Sequence, residues 1–202
     1  MDDVWLKAAE EFMAVAQRAW QRGLVAGSGG NISLRLPGTP HIMIKPSGMA
    51  TIDCRPETLL RVDLRGRIIS GAGRPSKDLN FHLAIYGLRP EVRGILHAHV
   101  PWSTALTLLG YRELPLVTPH SGLKLGRVPV VPYAPSETPE LEALVAESFR
   151  DPGVLCALLA RHGLVAVGET LAEACNVAEL VEETAQIALL VRLGGGEPSK
   201  DP

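Results

Sequence analysis

The sequence is short of cysteine, of surplus charge and of long apolar runs. Three cysteines occur in 202 residues. Cys54, Cys156 and Cys175 are odd in number and widely spaced, so they form neither a disulfide framework nor a CxxC zinc pair. They are expected to be buried thiols in a reducing compartment. Lys plus Arg number 20 against 22 Asp plus Glu, a formal net charge of −2. With no basic surplus to neutralise a phosphate backbone, nucleic-acid binding is excluded as a main task. The most apolar stretch, Val154 to Val167, is broken by Arg161 and His162 and is too short for a membrane span. The opening residues, MDDVWLKAAE, are acidic and amphipathic, unlike a secretory signal. Hydrophobic content of 46% and charged content of 21% exclude bulk disorder. A cytoplasmic chain with no membrane and no nucleic-acid partner is the expectation.

Periodicity gives one mixed α/β domain with a mostly antiparallel sheet. Apolar pairs from Val4/Trp5 to Ala19/Trp20 have helical spacing, and Gly23 is a plausible stop. The glycine turn Gly27-Ser28-Gly29-Gly30-Asn31 leads into two strands, Ile32 to Leu36 and His41 to Ile44, joined at Pro37-Gly38. A second hairpin turns at Arg65-Gly66. Pro75-Ser76 opens a helix to about Leu88 with Ser76 as N-cap. Gly94 to Val100 reads as a strand, and Pro101 starts a short helix. Val128 to Val131, Val154 to Leu159 and Leu164 to Val167 complete the strands, and Thr138-Pro139 starts another helix. Thr170-Leu171-Ala172-Glu173 is a capping box for a last helix to about Leu193. The domain is expected over residues 1–194, with residues 195–202 a disordered tail.

Six histidines stand against that background. In Ile95-Leu96-His97-Ala98-His99-Val100 the two histidines share one face of a strand, with Cα atoms about 6–7 Å apart, close enough to converge on one ion. Leu96, Ala98 and Val100 then face the core. His162 interrupts two apolar strands and is a third candidate ligand. Three neutral imidazoles leave zinc with a vacant position, the pattern of catalytic sites. With no charged ligand the ion keeps its full charge, which favours polarising a carbonyl and stabilising an enolate. Asp78 is the candidate partner carboxylate, and His82 lies one turn further along the same helix.

Small donors cluster in three turns: Ser28-Gly29-Gly30-Asn31, Ser47-Gly48 and Ser76-Lys77. Exposed backbone N–H groups there suit a phosphate. Neither a Walker A loop nor a GxGxxG turn before a helix is present.

Gly30-Asn31-Ile32-Ser33, Lys45-Pro46-Ser47-Gly48, Pro75-Ser76-Lys77-Asp78 with His82, His97-Ala98-His99 and Arg161-His162-Gly163-Leu164 follow in that order. The ordered set resembles the class II aldolase/adducin family, from about Trp5 to about Leu193. That family includes L-fuculose-1-phosphate aldolase and L-ribulose-5-phosphate 4-epimerase. The resemblance implies a three-layer α/β/α domain in a homotetramer with active sites at subunit interfaces. It implies a metal site of His97, His99 and His162 holding one Zn²⁺ per subunit, or Mn²⁺ or Co²⁺, an acid/base at Asp78, and a phosphate pocket from Asn31, Ser47, Gly48 and Ser76. Ser28, Gly30 and Lys77 are added to that pocket from the turns themselves.

Three departures bear on the substrate. The aldolase has Ser-Ser-Glu where this chain has Ser76-Lys77-Asp78. The aldolases' tyrosine, reaching in from a neighbouring subunit, has no counterpart in Thr118-Pro119-His120-Ser121-Gly122; His120 is the substitute acid, donated across an interface. The stretch from Lys124 to Tyr133 looks more like a decarboxylase of 3-oxo-tetronate 4-phosphates. The expected function is cleavage of a ketose 1-phosphate through a metal-stabilised enediolate. Decarboxylation comes second and 4-epimerisation third. A non-catalytic adducin-like interaction module is the alternative of another class, and a complete histidine triad speaks against it.

Overall fold

The computed structural model describes residues 2–196. The expected tail falls mostly outside them. Eight strands form one sheet in the order β4-β3-β2-β1-β5-β8-β7-β6. They are β1 (Asn31–Arg35), β2 (His41–Ile44), β3 (Leu60–Asp63), β4 (Ile68–Ser70), β5 (Gly94–Ala98), β6 (Val130–Val131), β7 (Cys156–Leu159) and β8 (Gly163–Gly168). Every neighbouring pair is antiparallel except β6 with β7. The helices are α1 (Asp3–Gln21), α2 (Leu79–Leu88), α3 (Pro101–Leu108), α4 (Pro119–Leu125), α5 (Pro139–Ser148) and α6 (Leu171–Leu193).

Alternation along the central strands divides the core in two. Leu96 and Ala98 of β5 join a cluster with Phe12 of α1 and Ala178 of α6 on one face. Ile95 joins Phe81 of α2 and Val145 of α5 on the other. Helices therefore cover both faces, and the three-layer α/β/α expectation holds. Each of these fully buried large side chains contributes roughly 1.5–3 kcal/mol of burial free energy. α6 starts on the expected capping box: Thr170 accepts from Glu173 N–H while the Glu173 carboxylate accepts from Thr170 N–H. Among the described residues no helix is long and apolar enough to cross a membrane.

Two local expectations are corrected. Ser76 is not the N-cap of α2, which begins at Leu79 with Asp78 at the cap position and no side-chain cap bond. Pro75 bridges Pro46, and Ser76 N–H donates to Lys45 O at 3.3 Å, so residues 75–76 stay extended beside 45–47 and the helix starts later. The central strand ends at Ala98, leaving His99 one residue beyond it. The segment around His120, to which the sequence pattern assigns no element, forms α4: Thr118 caps it, with Pro119 at its first position.

Candidate metal centre and active site

β5 and the β7–β8 turn bring three histidines together. His97 is fully buried on β5, His99 follows the strand end, and His162 sits in the turn before β8. Pairing of Ala98 with Leu164 and of His97 with Val165 sets the turn against the end of β5. The approach is close enough that a Cβ at Gly163 would lie 2.0 Å from Ala98 O, which only glycine avoids. On the other side, the Gly27–Asn31 turn closes over the triad. A Cβ at Gly30, whose φ is +66°, would lie 2.7 Å from His97 O.

The ring nitrogens fit a cation. His97 Nδ1–H donates to Leu164 O at 2.8 Å, because a carbonyl can only accept. That fixes the tautomer and leaves a lone pair on His97 Nε2. His99 Nε2 stands 3.1 Å from His97 Nε2 and 3.0 Å from His162 Nε2. One proton on His99 Nε2 can serve only one of these neighbours, so a lone pair in the cluster is left facing nitrogen. A tetrahedral zinc with bonds of about 2.0–2.1 Å would hold its ligand atoms roughly 3.3 Å apart. The three candidate ligand atoms all lie within 4.8 Å of one another. Burial, more than any charge, lowers the pKa of all three, and His97 and His162 are lowered further by their histidine neighbours. Neutral imidazoles are the form that ligates.

Asp78 flanks the triad. Its Oδ2 is 3.9 Å from His97 Nε2 and accepts from Asn31 Nδ2 at 2.7 Å. Asn31 is the first residue of β1 and stands opposite His97 in the sheet register. A side-chain bond from a strand thus holds the carboxylate that heads α2. Four residues on, His82 docks the same helix on the same strand: its Nδ1 meets Ser33 Oγ at 2.7 Å, and Ser33 Oγ meets Tyr86 OH at 2.9 Å. Tyr86 OH donates to Arg93 O. Read back along that chain, Ser33 donates to Tyr86 and His82 Nδ1–H donates to Ser33.

The sequence model described as Class II Aldolase and Adducin N-terminal domain matches residues 10–189. The chain belongs to the class II aldolase and adducin family. The 3-oxo-tetronate 4-phosphate decarboxylase of Escherichia coli K12 is 37% identical over 186 residues, covering 90% of this chain and 86% of that protein. The L-fuculose phosphate aldolase of Methanococcus vannielii is 35% identical, covering 90% and 96%. The crystal structure of L-fuculose-1-phosphate aldolase from Thermus thermophilus superposes with a TM-score of 0.82 at 32% identity, covering 95% of this chain and 97% of that one. The chain is therefore an enzyme of the class II aldolase superfamily, and that class is metal-dependent.

The turns expected to bind a phosphate also lie together here. Ser47 N–H donates to Arg74 O at 2.8 Å, which sets the Ser47-Gly48 turn beside Ser76. Ser76 Oγ accepts from Asp78 N–H at 3.4 Å. Lys45 is the residue that sequence reasoning missed. It is 1% exposed, and its Nζ donates to Ser28 O at 2.9 Å and Met49 O at 2.6 Å. One buried ammonium thus ties the first glycine turn to the second. Burial lowers its pKa. Its sequence signals are a place at the end of an apolar strand and the first position of Lys45-Pro46-Ser47-Gly48, and neither shows that it is buried.

Two other predicted residues lie differently. Lys77 donates to Glu137 Oε1 at 2.7 Å, so its charge is paired within the chain. His120 lines a groove with Val167, Gly168 and Glu169. That is the end of β8 remote from His162, roughly 15 Å along the strand. Within one chain His120 is apart from the triad.

Proposed function

We propose that this enzyme is a metal-dependent carbon–carbon lyase that cleaves a ketose 1-phosphate, as an L-fuculose-1-phosphate aldolase does. The observation that carries the reading is the Asp78 carboxylate held by Asn31 at the edge of a three-histidine cluster. His97, His99 and His162 would hold one Zn²⁺. A bound cation there supplies Lewis-acid stabilisation of the negative charge that develops on substrate oxygens as the carbon–carbon bond breaks.

The remaining work falls to the chain's own groups. The hydroxyls of Ser28, Ser47 and Ser76, the Asn31 side chain and the backbone N–H groups of Gly30 and Gly48 bind the phosphate, and Lys77 adds a positive charge. Holding the phosphate fixes the reacting carbons relative to Asp78, so part of the orientation entropy is settled on binding. Asp78 moves the proton to or from the substrate carbon as general acid/base. His120, on the surface of α4, acts as second acid in a neighbouring subunit's site within a cytoplasmic homotetramer.

Decarboxylation of a 3-oxo-tetronate 4-phosphate is the second reading. The stretch from Lys124 to Tyr133 and the 37% identity to a decarboxylase favour it. Metal-loaded enzyme incubated with ketose 1-phosphates and with 3-oxo acid phosphates separates the two. Dihydroxyacetone phosphate plus an aldehyde supports the aldolase, and carbon dioxide supports the decarboxylase. No turnover of either class overturns both. A His120→Ala enzyme with full activity would remove His120 from the scheme.

A further inference from the structure

Among the described residues, two other than glycine have positive φ: Glu137 at 66° and Arg161 at 64°. In that conformation an L side chain crowds its own backbone, and such residues concentrate at functional sites. Arg161 is accounted for, since it precedes His162 in the tight turn that meets β5. Glu137 is not. It lies between β6 and α5, one residue before Thr138, the N-cap of α5.

Its side chain supplies a reason. Glu137 Oε1 accepts from Lys77 Nζ at 2.7 Å, and the bond raises the Lys77 pKa. Lys77 stands between Ser76 of the anion cradle and Asp78 of the candidate acid/base. A carboxylate is thus kept, in an unfavourable backbone conformation, on the ammonium of the residue between Ser76 and Asp78.

We propose that Glu137 sets the anion affinity of the cradle: its carboxylate occupies the Lys77 ammonium in place of a substrate's anionic group, which must displace it to reach Lys77. The inference rests on the proposed role of Lys77 in binding that group. A phosphate ester that also meets Ser47, Gly48 and Ser76 has further contacts with which to complete the exchange. The pair is half-exposed or more on both sides, so displacing it is cheap. Removing Glu137 is worth about two- to fivefold in affinity, the typical strength of an exposed ion pair.

Calorimetric titration of the metal-loaded protein with glycerol 3-phosphate tests this. Glu137→Gly removes the carboxylate and places glycine where φ is positive, so the variant keeps its fold. Glu137→Gln removes the charge and keeps the backbone demand. Both are expected to bind about two- to fivefold tighter than wild type. Lys77→Met is expected to bind more weakly, and Glu137→Gly added to it is expected to change nothing further. Unchanged or weaker binding by Glu137→Gln, or an equal gain in the Lys77→Met background, overturns the proposal. If Lys77→Met weakens binding but neither Glu137 variant tightens it, the role of Glu137 alone fails. If Lys77→Met binds like wild type, the role of Lys77 fails and this proposal with it. If wild type does not bind the ester, the phosphate-site reading itself is overturned.

Discussion

Burial of His82 makes the metal-free protein acid-sensitive in a way that can be isolated. Its ring is fully buried between β1 and α2, and burial pushes its pKa down to about 3 from 6.5. The folded state keeps the ring neutral, while the unfolded chain takes up a proton below about pH 6.5. The folded pKa is depressed, so stability is complete above the unfolded value and falls as pH drops from about 6.5 towards 3. The slope is about 1.36 kcal/mol per pH unit for one group. Between about pH 7.5 and pH 5 the loss integrates to about 2 kcal/mol, and the folded value lies too far below that window to alter it.

The perturbation is His82→Leu, close in volume and without a titrating ring. Urea unfolding of chelator-treated wild type and variant, at one protein concentration and at both pH values, gives four stabilities. At the higher pH the variant is expected to be weaker by about 1 kcal/mol for the lost Ser33 bond. Towards the lower pH wild type is expected to lose about 2 kcal/mol more than the variant. His97, His99 and His162 titrate in the same direction, but they are common to both proteins and cancel in the comparison. Parallel losses in the two proteins would refute the assignment of a neutral, proton-excluding His82 to the core.

Three further outcomes follow from the site. Asp78→Asn is expected to retain metal, measured by elemental analysis, while turnover falls roughly 10²–10⁴-fold; unchanged turnover removes Asp78 as general acid/base. His97→Ala is expected to lower divalent-metal affinity by more than the roughly 10–100-fold typical of losing an outer partner, read by competition with a chelating dye. Tight one-to-one binding by that variant would place the metal elsewhere. Gly163→Ala drives a Cβ to 2.0 Å from Ala98 O, a backbone atom that cannot swing aside. A loss of about 3 kcal/mol is expected, with His162 displaced from its partners. A variant of wild-type stability and metal content would show that the β5–β8 approach is looser than described.

Much of the site is legible in the sequence because its chemistry is local in the chain. His97 and His99 share a strand face by alternation alone, and Pro101, Thr138 and the Thr170–Glu173 box announce their helices. His162 between two apolar strands and Asp78 beside Ser76 are picked out as candidates, and the ordered motifs then give them family roles. The α2 start differs from expectation because Ser76 is a good N-cap residue, yet the competing partner, Lys45 O, lies thirty-one positions away. Lys45 itself escapes notice for the same reason: what makes it special is burial beside two turns, and burial is not written at its position.

The sequence by itself determined which groups are available: three imidazoles without charged ligands, one nearby carboxylate, turns rich in glycine and serine, and the alternation that builds a sheet covered on both faces. These follow from residue type and spacing along a few residues. Tertiary structure decided their coupling. It placed His162 against the end of β5, fixed the His97 tautomer on Leu164 O, tied Asp78 to Asn31, joined two turns through a buried lysine and set Glu137 on Lys77. Each of these contacts links positions many residues apart, and a distance across the fold is settled only when the sheet register and helix packing are settled.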